Sequence, residues 1–266
     1  MRGRTRRPPL PVAVAAAVTV AFLAVPVFAL ITKASWGTLW GDLSTPEARS
    51  ALRLSLVCSL WATALSIVFG VPLAWMLARS RMPARNLVRA LVILPMVLPP
   101  VVGGVALLLG FGRRGLIGGW LYDLDGIQLT FSTAGAVLAE TFVAMPFLVI
   151  TVEAGLRSMD RRYEEAASTL GAGRWTVFRR VTVPMILPSL VAGAALTWAR
   201  ALGEFGATIT FAGSIQGRTE TLPLAVYLQL EGHQDVAVAL SLLLLAVSLA
   251  VLVSLRGRWL GMSPSG

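Results

Sequence analysis

One lysine, one histidine, one cysteine and three tyrosines are all that 266 residues contain of those types. The lysine, Lys33, is not preceded by GxxxxGK[ST], so the chain has no Walker A phosphate loop and no nucleotide-driven motor of its own. Cys58 lies inside an apolar run, which excludes a disulfide framework and a CxxC metal site. His233 has Asp235 nearby but no cysteine or second histidine, and reads as a solvated loop residue; no metal site is assigned. GxSxG and HExxH are absent, no carboxylate pair has a plausible catalytic geometry, and so no catalytic residue is assigned. Gly110-Phe-Gly-Arg-Arg-Gly115 satisfies GxGxxG, but it closes an apolar run and follows no strand, which removes the dinucleotide reading.

What the chain has is apolar length. Hydrophobic residues make up 56% of it and the mean hydropathy is +0.76, values of a polytopic membrane protein rather than a soluble domain. Runs of spanning length cover Pro11 to Thr32, Leu52 to Ala78, Leu87 to Phe111, Ser132 to Gly155, Met185 to about Ile209 and Val236 to Leu255, giving an all-α protein with six transmembrane helices. Domain limits follow: a basic amino-terminal segment over 1–10, a transmembrane unit over 11–255 and a tail over 256–266. The first run, with Val27-Phe28-Ala29 at its end, also has the look of a signal peptide, but its length favours an uncleaved span.

The formal net charge of +10 is gathered beside the spans and is not interleaved with stacking aromatics, so it reads as a topology signal and not as a nucleic-acid surface. With the amino terminus inside, Arg2, Arg4, Arg6, Arg7, Arg79, Arg81, Arg85, Arg89, Arg157, Arg161, Arg162, Arg174, Arg179, Arg180, Arg256 and Arg258 fall on the inner side. The outer segments hold Lys33, Arg49, Arg53, Arg113, Arg114 and Arg218 together with most of the acids. Both termini are therefore expected on the cytoplasmic side of the cell membrane.

Two spans contain residues that hydrocarbon tolerates poorly. In the third, Pro95, Pro99 and Pro100 each remove a backbone donor and Gly103 and Gly104 loosen the next turn, which predicts a kink or break near mid-membrane. Such a break either lines a watery path or serves packing. In the fifth, Arg200 and Glu204 stand four residues apart, expected on one helical face, either as functional groups or as a self-neutralising pair. A carboxylate repels an anion, so the pairing role suits Glu204, whereas Arg200, Thr208, Thr210 and Ser214 are candidates to face an oxyanion. Glu140, in the fourth span, is expected to partner another helix.

Between the fourth and fifth spans, over about 157–184, lies a loop of a different kind. Tyr163, Ala166, Ala167 and Leu170 share one side of a short helix beside Glu164, Glu165 and Ser168. Gly171 and Gly173 are expected to stop it in the left-handed conformation, and Arg174 to Val183 to form a second helix ahead of Pro184. A short alanine-rich stripe flanked by charge suits a groove in another protein. The alternative is a helix resting on the membrane, which suits the arginine-rich second helix better than the first.

Glu165-Ala-Ala, three residues, Gly171, nine residues and then Val181-Thr-Val183-Pro184 resembles the loop of the permeases of binding-protein-dependent ABC importers, with valines where isoleucine and leucine are usual. The stretch Leu94 to Gly104, the run Arg200-Ala-Leu-Gly-Glu-Phe-Gly-Ala-Thr208 and Thr221-Leu-Pro-Leu-Ala-Val-Tyr227 resemble the molybdate branch of the sulfate, tungstate and molybdate permeases. The resemblance runs from about Ser50 to Leu255. It implies a type I ABC importer permease fold and a homodimer with the path between its two copies. It also implies two cytoplasmic ATPase subunits that use ATP and Mg, while this chain needs no cofactor, and an external oxyanion-binding protein. Glu165, Ala166, Ala167, Gly171, Val181 and Pro184 would form the coupling element. Pro99, Pro100, Gly103, Gly104, Arg200, Glu204 and Thr208 are the pathway candidates.

Two rivals are set against this. An ion-coupled secondary carrier would use Glu140 and Glu204 as ion sites, but such carriers often repeat their broken helices in inverted copies, and no second copy of the proline-glycine break is found. A non-transporting membrane anchor would need no polar groups inside the spans, and Arg200, Glu204 and Glu140 are there.

Overall fold

The computed structural model describes residues 9–80 and 83–260. Arg2, Arg4, Arg6, Arg7 and Arg81, counted above as inner-side charges, lie outside the described residues, as do positions 261–266 of the expected tail. All regular structure among the described residues is helical. The order is α1 (Leu10–Thr32), α2 (Leu39–Leu43), α3 (Pro46–Arg79), α4 (Arg85–Val97), α5 (Pro100–Phe111), α6 (Gly118–Asp125) and α7 (Thr133–Ser158). After α8 (Arg162–Thr169) and α9 (Arg174–Val177) comes a π-helical turn (Phe178–Thr182), then α10 (Val183–Met185), α11 (Leu187–Leu202), α12 (Gly206–Ala212), α13 (Leu222–Leu230) and α14 (Gln234–Leu260). Among the described residues four helices, α1, α3, α7 and α14, are individually long and apolar enough to cross a membrane, and two bent pairs bring the number to six if each pair is one span.

Helix α7 is the centre. It packs against α3, α4, α5, α11 and α12. Ser132 caps its start by accepting from Gly135 N at 3.1 Å, as Thr45 caps α3 through Ala48 N at 3.2 Å. Small residues of α3, Ser55, Ser59, Ala62, Ser66, Gly70 and Ala74, are buried at helical spacing and let the helices approach closely. At Gly70 an added Cβ would lie 3.2 Å from Leu148 and Val149. Helix α1 is the opposite case: none of its residues is buried, and it packs mainly against α14.

Both proline- and glycine-rich spans are broken, and in both the break has a local cause. A residue before proline is driven out of the helical region. Leu98 and Pro99, each followed by a proline, are extended with ψ of 135°. The axis turns by 120° between α4 and α5 there, so the expected run from Leu87 to Phe111 is two helices. The expected run from Met185 to Ile209 is interrupted twice, at Ile186 ahead of Pro188, where the axis turns by 72°, and again at Gly203 to Phe205. Helix α14, expected to end near Leu255, continues to Leu260, because Gly257 alone does not stop it.

Under the α8–α10 loop lies a cluster of Val71, Ala74, Leu77 and Ala78 from α3, Leu148, Val149, Val152 and Leu156 from α7, and Ile186. At the other end of the bundle, Ser55 Oγ accepts from Leu222 N at 2.7 Å and ties α3 to the start of α13. Glu220, in the link before α13 and outside the spans, has its carboxyl pushed above the ordinary 4.5, first by burial and then by the Glu47 carboxylate. The folded state therefore holds this proton more tightly than the unfolded chain. Its contribution to stability is complete below the ordinary glutamate value and is lost as pH rises through the raised one. Thermal unfolding of the detergent-solubilised protein between pH 4 and pH 7 is expected to show that loss, and Glu220→Gln to flatten it.

Candidate functional site: a docked elbow and a crossing of two broken helices

The elbow begins with α8, which ends as its sequence demands. Gly171 has φ +84°, Ala172 N donates to Ala167 O at 3.1 Å and Gly171 N to Ser168 O at 3.0 Å, the paired bonds of a Schellman turn. Gly173, expected to share the left-handed role, has φ −65° and opens α9 instead. The second helix was expected to stop ahead of Pro184, but the chain stays helical through it. The π turn precedes it, with Val183 N donating to Phe178 O, and Pro184 enters in the first turn of α10, where its missing N–H is tolerated.

One carboxylate fixes the elbow to the bundle. Glu164 Oε2 lies 3.0 Å from Arg79 Nε at the end of α3, and Glu164 Oε1 accepts from Thr182 Oγ1 at 2.7 Å. Arg161 Nη2 adds a bond to Ala78 O at 3.3 Å. Phe178 meets Trp75 edge-on at 6.1 Å and stacks with Trp175 at 5.6 Å. Glu164, Arg79 and Thr182 have no signature in the one-dimensional pattern, because their partners come from segments far apart in the chain. What stays uncovered is the stripe read from the sequence. Tyr163 is 57%, Leu170 89% and Trp175 70% exposed, and Glu165, Ala166 and Pro184 are exposed as well. Ala167 and Val181 are half-buried. A cleft of about 310 Å³ opens beside Glu165, between Arg161, Ser168 and Arg174.

The second constellation lies within the bundle. Helices α5 and α12 pack together, and their glycines set the distance. A Cβ on Gly206 would come 2.5 Å from Pro100 Cβ; one on Gly104 would come 2.5 Å from Thr210 Cβ and 3.1 Å from Ala207 O. Gly103 faces Phe142, while Pro99 and Pro100 are exposed at the start of α5. The structure thus brings Pro100 and Gly104 against the segment that follows Glu204, while Gly103 packs on α7.

Arg200 and Glu204 do pair, Nη2 to Oε2 at 2.6 Å, but not on one helical face. Helix α11 ends at Leu202, and Glu204 lies in the break. Its Oε1 accepts from Ala207 N at 2.8 Å and caps α12, so the pair spans the break with the cation in the last turn of one helix and the anion at the amino end of the next. Glu204 is buried, whereas the Arg200 side chain is 29% exposed. Thr208 Oγ1 and Ser214 Oγ are buried without a hydrogen-bond partner among the described residues; Thr210 Oγ1 donates to Gly206 O. Glu140, expected to partner another helix, makes no hydrogen bond or ion pair among the described residues: its Oε2 is buried and unpartnered, and the Glu204 carboxylate acts on it as a like charge.

This geometry separates the two members of the pair. Removing the guanidinium leaves Glu204 buried and uncompensated, a loss of about 3 kcal/mol. Glu204→Gln keeps an acceptor for Ala207 N. Arg200→Ala is therefore expected to lower uptake more than Glu204→Gln does, measured at equal protein level in the membrane. Equal losses would mean that the ion pair acts only as a brace.

An all-helical membrane bundle with broken inner helices and a helical elbow exposed at one end is the type I ABC importer permease fold, and the chain is a multi-pass membrane permease subunit. It belongs to the family described as binding-protein-dependent transport system inner membrane component, which matches residues 70–261. It is 49% identical over 239 residues to the molybdenum transport system permease protein ModB of Mycobacterium tuberculosis, covering 90% of each chain. To the sulfate transport system permease protein CysT of Escherichia coli it is 39% identical over 238 residues, 88% of this chain and 86% of that one. A chain in the crystal structure of a bacterial alginate ABC transporter, in complex with a periplasmic protein bound to an alginate pentasaccharide, superposes with a TM-score of 0.74 at 20% identity. The match covers 97% and 96% of the two chains.

Proposed function

We propose that this chain is the membrane subunit of an ATP-driven importer that brings an oxyanion, molybdate, into the cell. The observation that carries the mechanism is the elbow. Its exposed face of Tyr163, Ala166, Leu170 and Trp175 is an apolar surface held at the end of a rigid base, and Glu164 couples it to α3 through Arg79 and to the lead-in of α11 through Thr182. Each of two copies presents one elbow to one cytoplasmic ATPase subunit, which binds ATP and Mg. Glu165, Ala166, Ala167, Gly171, Val181 and Pro184 form or support the docking face. Closure of the ATPases pushes the elbow, and the push passes along α10 and α11 to the break at Glu204, where α12 bears on α5. The crossing of Gly104 with Thr210 and of Gly206 with Pro100 is then the moving wall of the path, with Arg200 and Thr208 on its polar side. An external binding protein delivers the anion. The arginine distribution supports an inner elbow and cytoplasmic termini.

Molybdate rests on the 49% identity to a molybdenum permease; sulfate is the second reading, from the 39% identity to a sulfate permease. Reconstitution with the ATPase subunit and the binding protein tests both. Molybdate-loaded binding protein is expected to stimulate ATP hydrolysis and uptake more than sulfate-loaded protein does. Stimulation by sulfate alone would reassign the cargo. Uptake abolished by a protonophore and insensitive to vanadate would overturn the ATP-driven reading in favour of a secondary carrier.

A further inference from the structure

Three arginines converge on a single oxygen at the α4–α7 seam. Glu153 Oε1 accepts from Arg89 Nη2 and from Arg157 Nε at 3.1 Å, and has Arg157 Nη2 at 2.9 Å and Arg85 Nη2 at 3.9 Å as ion-pair contacts. Glu153 is buried at 7% exposure, while the three arginine side chains stay open, at 34% for Arg85, 31% for Arg89 and 48% for Arg157. One carboxylate oxygen cannot saturate three guanidinium forks, and the cluster retains two positive charges. Arg85 also stands at the first position of α4, with no acidic residue in that turn, so the helix dipole adds to the positive field instead of offsetting it. Arg85 Nε is buried without an acceptor.

The surroundings indicate what completes the site. On α4, Val88 and Val92 turn to the core, and Leu87, Leu91 and Leu94 are exposed on the opposite side; Ile150, one turn before Glu153 on α7, is exposed too. At helical spacing Arg85 and Arg89 leave α4 on the Val88–Val92 side, away from these leucines, so the open guanidiniums lie between α4, whose other face is apolar, and the end of α7, where Ile150 is exposed. The elbow's uncovered tip belongs to other helices.

We propose that Arg85, Arg89 and Arg157 form a binding site for a phosphate group in the inner leaflet, with Glu153 as the internal counter-anion that a phosphate oxygen supplements. Planar guanidiniums match phosphate oxygens in paired hydrogen bonds, and basic pockets between membrane helices on the cytoplasmic side hold anionic headgroups. The inner placement rests on the topology given under Proposed function. The test below reads ligand retention and not uptake, so the two fail separately.

Purified full-length permease in detergent is titrated with phosphatidylglycerol, with phosphatidylcholine and, separately, with inorganic phosphate, and bound ligand is read by native mass spectrometry. The expected result is preferential retention of phosphatidylglycerol, reduced about five-fold by Arg157→Gln and further by Arg85→Gln with Arg89→Gln. Glu153→Gln gives the opposite sign, stronger retention, because the competing carboxylate is gone; a purely structural cluster would lose retention in every variant. Retention of inorganic phosphate that the arginine variants abolish, without preference between lipids, upholds the phosphate site and assigns it to free phosphate. Equal retention of both lipids, with no phosphate bound, overturns the proposal. It is also overturned if Arg157→Gln releases the ATPase subunit from the assembled complex while lipid retention is unchanged.

Discussion

Replacing Gly206 by valine is expected to abolish uptake, with a fall of at least about ten-fold at an unchanged amount of protein in the membrane, measured by radiolabelled molybdate uptake alongside an immunoblot. The added Cβ would sit 2.5 Å from Pro100 Cβ, less than any real carbon contact, and the proline ring cannot turn aside. Overpacking of this kind costs about 1–3 kcal/mol, and each 1.4 kcal/mol is a factor of ten in a conformational equilibrium. The strain falls between α5 and α12, so it biases the wall proposed to move while leaving the α3–α7–α11 core intact. Position 104 supplies a reciprocal check. There the obstacle is Thr210 Cβ, also at 2.5 Å, and a Gly104→Ala change should be partly rescued by Thr210→Gly. A Gly206→Val variant that transports normally would show that α5 and α12 part during the cycle, or that their packing is irrelevant to it.

The second large effect belongs to the elbow. Gly171→Pro is expected to uncouple the complex: normal insertion, with ATPase association and uptake each reduced about ten-fold or more, read by co-purification and transport. Gly171 holds φ +84°, a region closed to proline, and its N–H is one of the two bonds that close the turn. A turn that cannot close leaves Leu170 and Tyr163 unplaced relative to α9. Glu165→Lys tests the same surface without touching the backbone. The Glu165 carboxylate is exposed and enters no ion pair or side-chain hydrogen bond among the described residues, so charge reversal should weaken docking while leaving stability almost unchanged. A Glu165→Lys variant that co-purifies a full complement of ATPase and transports at the normal rate would remove this residue from the docking face.

Local features were legible in the sequence because they are written over a few neighbouring residues. The proline break after Leu98, the glycine that closes α8 and the exposed stripe of Tyr163, Ala166 and Leu170 all follow from backbone rules and helical spacing. What escaped was set by residues that meet only in three dimensions. Glu204 reads as the partner of Arg200 on one helix, yet it is an acceptor for Ala207 N, and that bond is what starts α12. Gly173 looks like Gly171 in sequence but meets no backbone demand. The extension of helix through Pro184 depends on a π turn, which no periodicity of 3.6 announces. The convergence of Arg85, Arg89 and Arg157 on Glu153 joins residues up to 72 positions apart, and a count of basic residues per loop records the arginines without showing that they share one oxygen.

Helix α1 shows what the protein can do without in its own interior. None of its residues is enclosed by the rest of the described chain, and the helix it packs against most is α14. Few fitted neighbours within the chain hold it, so an apolar surrounding is what its side chains need. Exchanging one aliphatic side chain for another there should pass unnoticed by the other helices, since oiliness over about 20 residues is the sole requirement imposed on it.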